Sequence, residues 1–213
     1  MHLPDGFLTP HILISAWLAS WGGLSYCLRK TALVLKDRMI PLMGVMSAFI
    51  FAAQMIDFPV AGGTSGHLLG GVLAAVLLGP YAAAVVISVV LMVQCLIFQD
   101  GGLTALGANI LNMAFVGAIG GYFIYKIISR ICGNNKGIVI GAMISGWFSV
   151  VAAAVFCALE LAFSGIAPLR FILAAMAGLH MVIGIGEAII TGLVIGFVLK
   201  VRPDLIYDPA KNG

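Results

Sequence analysis

HLLGGVLAAVLLGPYAAAVVISVVLMVQCLIFQD, residues 67–100, holds no Lys, Arg, Asp or Glu before its final Asp100. A run of that length and apolarity belongs in a bilayer, where a spanning helix takes ~20 mostly apolar residues. The Gly79-Pro80 pair divides it, because proline lacks the N–H that a continuing helix needs. We read a short span over 67–78 and a full one over 81–98. The rest of the chain has the same character. Of its 213 residues, 62% are hydrophobic and 9% charged, and the mean hydropathy is +1.15. A soluble domain carries roughly a quarter charged residues. The fold class is therefore all-α, a polytopic membrane bundle with little mass outside the bilayer.

Outward from that stretch, similar runs place further spans at 9–28, 39–57, 108–128, 138–160 and 171–199. The expectation is one unit over 1–213: an N-terminal loop (1–8), a seven-helix bundle (9–200) and a tail (201–213). Charge sets its direction. Arg29, Lys30, Lys36 and Arg38 lie between the first two spans, Lys126, Arg130 and Lys136 between the fifth and sixth, and Lys200, Arg202 and Lys211 after the seventh. Of the eleven basic residues only Arg170 falls on the other side, together with Asp5, Asp57, Asp100 and Glu160. Cytoplasmic loops carry the basic excess, so the N-terminus is expected outside and the C-terminus in the cytoplasm. The formal net charge of +3 is then a topology signal, and no nucleic-acid partner is expected. No basic n-region and small-residue cleavage site open the chain, so no signal peptide is expected.

The chemistry concentrates at MHLPDGFL (1–8) and AGGTSGHLLGG (61–71). The large His2 should leave Met1 in place, with a free amine. The Met1 amine, the His2 amide, the His2 imidazole and the His67 imidazole are four nitrogens that suit a near-planar square around Ni(II) or Co(II). Pro4 and Gly6 let LPDG turn back on itself. Residue type alone equally describes a surface histidine at a frayed terminus, and a His67 that only hydrogen-bonds near a helix start capped by Thr64 or Ser65. Glycines 62, 63, 66, 70 and 71 leave room for another backbone, such as an inserted N-terminal loop. On the topology above, both histidines fall on the external face.

Glu187, in HMVIGIGEAIITG (180–192), lies near mid-membrane, where a carboxylate marks function by default. It is expected to pair with His180 or with a polar residue of the fifth span, or to hold helices together. Asp5, Asn109 and Glu187 are expected to brace the loop, with Gln94, Gln99 and Asn112 as further partners or ordinary interhelical hydrogen bonds. Ala48 and Ala52 form a small stripe on the second span, with similar patches at Gly117/Gly121 and Gly192/Gly196. His11 reads as a loop or helix-start residue. The ten methionines read as core or lipid-facing filler. Cys27, Cys95, Cys132 and Cys157 have no CxxC spacing, which argues against disulfide or zinc frameworks. No GxxxxGK[ST], HExxH or nucleophile elbow occurs, so no ATP site or catalytic centre is expected.

MHLPDGFL, GTSGHLLGG, FQDGGLTALGANILNMA and HMVIGIGEAIITG together resemble the CbiM/NikM family over nearly the whole chain. These are the substrate-specific components of energy-coupling-factor nickel and cobalt importers. The resemblance implies a seven-helix fold whose N-terminal loop inserts into the core. It implies metal held by the Met1 amine, the His2 backbone and imidazole nitrogens and the His67 imidazole. It also implies a transmembrane coupling subunit, met by Ala48 and Ala52, two ATP-binding cassette ATPase subunits and a small accessory membrane protein.

The expectation is a capture subunit in a prokaryotic plasma membrane, without catalysis or resident cofactor, for Ni(II) ahead of Co(II). The alternative is a stand-alone ion- or proton-coupled transporter built on Glu187 and His180.

Overall fold

Apolar stretches free of internal charge become helices, since a chain shielded from water must satisfy its own N–H and C=O groups. The computed structural model describes residues 1–37, 39–60 and 64–208. Among these residues seven helices form: α1 (Pro10–Val34), α2 (Met39–Gln54), α3 (Gly71–Leu78), α4 (Pro80–Phe98), α5 (Leu106–Cys132), α6 (Asn135–Phe163) and α7 (Leu169–Val201). Four of them, α4 to α7, are long and apolar enough to cross a membrane by length and composition. Large apolar side chains such as Leu18, Leu33, Leu193 and Phe197 point outward, the reverse of a water-soluble surface and the arrangement a lipid-facing exterior requires.

Contacts between the helix ends define two poles. At one, Thr9 N–H donates to Ser164 Oγ at 3.1 Å and Gly102 N–H donates to the Leu3 carbonyl at 2.8 Å. At the other, the Tyr26 and Tyr81 rings meet edge-on at 5.5 Å, and Tyr207 N–H donates to the Val76 carbonyl at 2.9 Å. Successive helices therefore run in alternating directions. α6 and α7 form a long hairpin in which Trp147 packs on Gly184 and its indole N–H donates to the Met181 carbonyl at 3.0 Å.

Three expectations are corrected here. α1 reaches Val34 instead of stopping near residue 28, so Arg29 and Lys30 sit on its last turns. Between the second and third spans, residues 58–60 and 64–66 form strands. Phe58–Val60 (β1) and Thr64–Gly66 (β2) pair antiparallel, with Pro59 opposite Ser65. The short third span starts at Gly71 and not at residue 67: residues 67–70 are non-helical and α3 has eight residues, all buried. At 1.5 Å per residue it is ~12 Å long, against a hydrocarbon core of ~30 Å. Such a broken segment survives at depth only inside protein. Arg38, Gly62, Gly63 and Lys211, all used in the sequence reading, lie outside the described residues.

α5 contains a wide stretch, Leu111–Gly120, with i→i+5 hydrogen bonding. It faces the start of α3, where a Cβ on Gly71 would stand 3.1 Å from the Ala118 backbone. α3 thus enters the bundle against this widened turn.

Candidate metal site

The N-terminal segment is buried inside the bundle: Met1 and Leu3 are 0% exposed and His2 4%. A backbone in that position needs partners for its polar groups, and the segment has them. Leu3 N–H donates to Asn109 Oδ1 at 2.8 Å, and Asn109 Nδ2 donates back to the Leu3 carbonyl at 3.2 Å. Asp5 accepts from Thr104 N–H at 2.7 Å, from Thr104 Oγ1 at 2.5 Å and from Leu103 N–H at 3.2 Å. Gly6, at φ +83°, turns the chain toward α1. Asp5 and Asn109 therefore hold the loop from two sides.

The glycines that admit this loop are Gly101 and Gly102. A Cβ on Gly102 would fall on the Pro4–Asp5 backbone, and one on Gly101 would stand 3.4 Å from the His2 ring. The glycines flanking His67 do something else. Gly66 admits Leu179 and Ile183 of α7, Gly70 (φ +72°) admits Ile50 of α2, and Gly71 admits α5.

Ser65 lies where the two segments meet. The Met1 amine donates to the Ser65 carbonyl and, at 3.2 Å, to Ser65 Oγ. His2 N–H also points at Ser65 Oγ, at 3.3 Å. Beside them the His2 and His67 rings lie 4.5 Å apart, tilted by 31°.

Each ring has one nitrogen pinned and one free. His2 Nε2 stands 3.1 Å from Gln94 Oε1. An amide oxygen only accepts, so Nε2 carries the proton and Nδ1 the lone pair. His67 Nδ1–H donates to the Leu68 carbonyl at 2.7 Å, which leaves the lone pair on Nε2. His2 Nδ1 and His67 Nε2 are both buried without a hydrogen-bond partner among the described residues. Asp100 Oδ1 comes within 3.4 Å of His2 Nδ1 without hydrogen-bonding geometry.

Burial also sets the protonation of these groups. It pulls the Met1 amine from its ordinary 8.0 down to about 5. Burial, and then the neighbouring amine, lowers His2 from 6.5 to about 3. His67 is held well below 6.5, first by burial and then by the amine and His2. At neutral pH all three offer lone pairs. Among the described residues, no three His, Cys, Asp or Glu side chains group as metal ligands. A metal here must therefore draw on main-chain nitrogen, and the Met1 amine and the His2 amide are in position. A cavity of about 290 Å³ opens onto the site, lined by His2, Pro4, Asp57, Pro59, Thr64, Ser65, Asp100 and Gly101. Burial first, then Asp57, raises the Asp100 carboxyl above 3.8, so this mouth holds two mutually repelling carboxylates.

Glu187 does not pair with His180. Its two oxygens each accept an N–H at 2.8 Å, from Leu69 and Gly70, and so fix the chain just after His67. Gln54 Nε2 donates to the Leu69 carbonyl at 2.8 Å. His180 Nδ1–H donates instead to the Met176 carbonyl at 2.7 Å. Asn112 bonds Glu160 at 2.5 Å and not the loop. Thr64 caps no helix, since its hydroxyl donates to Met176 Sδ at 3.0 Å. His11 is exposed in the first turn of α1, and Ala48 and Ala52 are exposed on α2. The sequence reading missed Ser65 as the holder of the terminus. Its only signal was a hydroxyl two residues before His67.

These features define a helical membrane-type protein whose own N-terminus is drawn into a buried, nitrogen-rich pocket. A family model described as the cobalt uptake substrate-specific transmembrane region, CbiM, matches residues 2–205, and the chain belongs to that family. It is 40% identical to a protein of Archaeoglobus fulgidus named as a fused nickel transport protein, NikMN, across 100% of this chain and 70% of that one. It is 37% identical to a protein of Haloquadratum walsbyi named as a metal transport protein, across 100% of this chain and 96% of that one. A crystal structure titled as a truncated transition metal transporter superimposes with a TM-score of 0.88 at 35% identity, covering 94% of this chain and 99% of that one.

Proposed function

We propose that this protein is the substrate-capture membrane component of an importer for divalent nickel or cobalt. The observation that carries the reading is the pair of stacked, buried imidazoles, each with one nitrogen pinned and the other free, beside a buried terminal amine. With its N–H proton given up to solvent at the mouth, the His2 amide joins the Met1 amine and His2 Nδ1 in two fused chelate rings, and His67 Nε2 supplies the fourth donor. Planar nitrogen ligation suits d8 Ni(II), so nickel is favoured over cobalt, although a bare nitrogen site follows the Irving–Williams order. Asp57 and Asp100 at the mouth attract the cation, and in transport the ion replaces the hydrogen bonds to Ser65. Asp5, Asn109 and Glu187 keep the loop and His67 in register. No catalysis belongs to the chain.

Release into the cell rests on partners: a transmembrane coupling subunit meeting Ala48 and Ala52, two ATP-binding cassette ATPases and a small accessory membrane protein. The exposure of Ala48 and Ala52, with open space over Gly44 on α2, supports that docking face. The basic pole faces the cytoplasm of a prokaryotic cell, which puts the N-terminal pole outside, with the chain crossing seven times if α1, α2 and the broken segment ending in α3 count as crossings. A proton-coupled transporter built on Glu187 and His180 has less support, because each takes a separate backbone partner. Equilibrium binding of Ni(II) and Co(II) to detergent-purified protein tests the reading. One ion per chain, lost in His67→Ala, is the expected result. Full binding in that variant contradicts it.

A further inference from the structure

Of the four histidines, three share one signature. His2, His67 and His180 each have one ring nitrogen hydrogen-bonded and the other buried without a partner among the described residues. Two of the three belong to the capture site. The third, His180, is 0% exposed, and its Nδ1–H bond to the Met176 carbonyl leaves the lone pair on Nε2. A buried acceptor of that kind weakens the fold unless something comes to fill it.

The position of His180 points to the occupant. Residues 176, 180, 183 and 187 recur at helical spacing and share one face of α7. That face lies along the segment carrying Ser65 and His67. Met176 Sδ meets Thr64 Oγ1 at 3.0 Å. A Cβ on Gly66 would meet Leu179 Cδ2 at 3.0 Å and Ile183 Cδ1 at 2.8 Å. The Glu187 carboxylate holds Leu69 and Gly70. His180 therefore faces the level where Ser65 grips the amine, within electrostatic reach of both that amine and His67.

We propose that His180 is a relay ligand, whose Nε2 takes hold of the ion in exchange for the Met1 amine during loading and unloading of the site. The inference rests on the capture reading above. A planar four-coordinate d8 ion is open along its axis, and its ligands exchange through a five-coordinate state, so a spare donor beside the square speeds both directions. The metal–nitrogen bond to His180 forms as the bond to Met1 breaks. The amine keeps its two N–H groups, which Ser65 accepts, and neither proton nor electron is transferred. The ion is then held by the His2 amide and imidazole, His67 and His180 until the amine returns to the square.

The test is stopped-flow Ni(II) binding, and release into excess chelator, with full-length protein bearing its native N-terminus. His180→Gln, His180→Phe and His67→Ala are compared with the parent. A relay changes rates and leaves the end states alone. His180→Gln is expected to slow association and release alike by about tenfold, with Kd within about twofold and one ion held at saturation. Unchanged rates in both His180 variants overturn the proposal, as does an affinity loss carried by faster release alone. Failure of both variants to hold one ion assigns His180 a structural role and overturns it equally. His67→Ala separates the two levels: parent-like binding there removes the capture reading itself, whereas lost binding there with unaltered His180 kinetics removes only the relay.

Discussion

In the proposed site a neighbour sets which nitrogen of each histidine keeps its proton, Gln94 for His2 and Leu68 for His67. Gln94→Leu keeps the volume and frees the His2 tautomer. Loss of such a supporting partner costs metal sites ~10–100-fold in affinity, and titration calorimetry with Ni(II) should show a fall in that range. Acid has a defined effect. The amine and His2 have folded pKa values, about 5 and about 3, below their ordinary 8.0 and 6.5. Between each pair of values the undocked terminus binds protons that the docked one does not, so docking strengthens as pH rises and weakens as it falls. The metal-free loop should therefore loosen progressively from pH 8 downward. Metal should hold at pH 6, where an ordinary terminus is already protonated, and be displaced as pH drops through about 5. Metal retention against pH, read by absorption, checks the order. His2 and His67 stood out in the sequence because imidazoles are rare in an apolar chain. Ser65 did not stand out as the holder of the terminus, and Gln94 was only one of several polar candidates for the loop, because their roles depend on partners 63 to 92 positions away.

At the scale of elements, the loop and the broken segment do the positioning. Gly102→Ala places a methyl on the Pro4–Asp5 backbone. We expect a Ni(II) affinity loss of at least tenfold, on the order of 1.4 kcal/mol, with unchanged helical circular dichroism. Glu187→Gln leaves one acceptor oxygen for the two N–H groups of Leu69 and Gly70. A buried N–H without its acceptor costs ~1–3 kcal/mol, so thermal unfolding in detergent should shift down, and metal affinity with it. The long helices were legible because uncharged apolar length is a strong signal. The start of α3 was not: the apolar pattern runs unbroken through residues 67–70, and only the left-handed Gly70 marks the change. The β1–β2 hairpin has three-residue strands, too short for alternation to register.

For the whole molecule, the two poles differ in charge as well as in contacts. Arg29, Lys30, Lys126, Arg130, Lys136, Lys200 and Arg202 cluster at the pole of the α1, α5 and α7 C-termini, away from the buried N-terminus. This asymmetry, readable from the sequence, supports the proposed placement of that pole in the cytoplasm. Of the four cysteines only Cys132, at that basic pole, is exposed. A membrane-impermeant maleimide should label it in inside-out vesicles and spare it in right-side-out ones, and the opposite pattern reverses the orientation. How the site is assembled at the other pole, by a terminus folded back among helices, was not legible from hydropathy. Hydropathy describes each segment and not which distant segments meet.

In the proposed site the chain's own first amine and amide hold the ion. The most direct measurement is the visible absorption of Ni(II)-loaded protein with its native terminus, beside a form carrying one extra residue before Met1. A planar-nitrogen Ni(II) band at one ion per chain is expected in the native form and no such band in the extended form. An identical band and stoichiometry in both would contradict the proposed site.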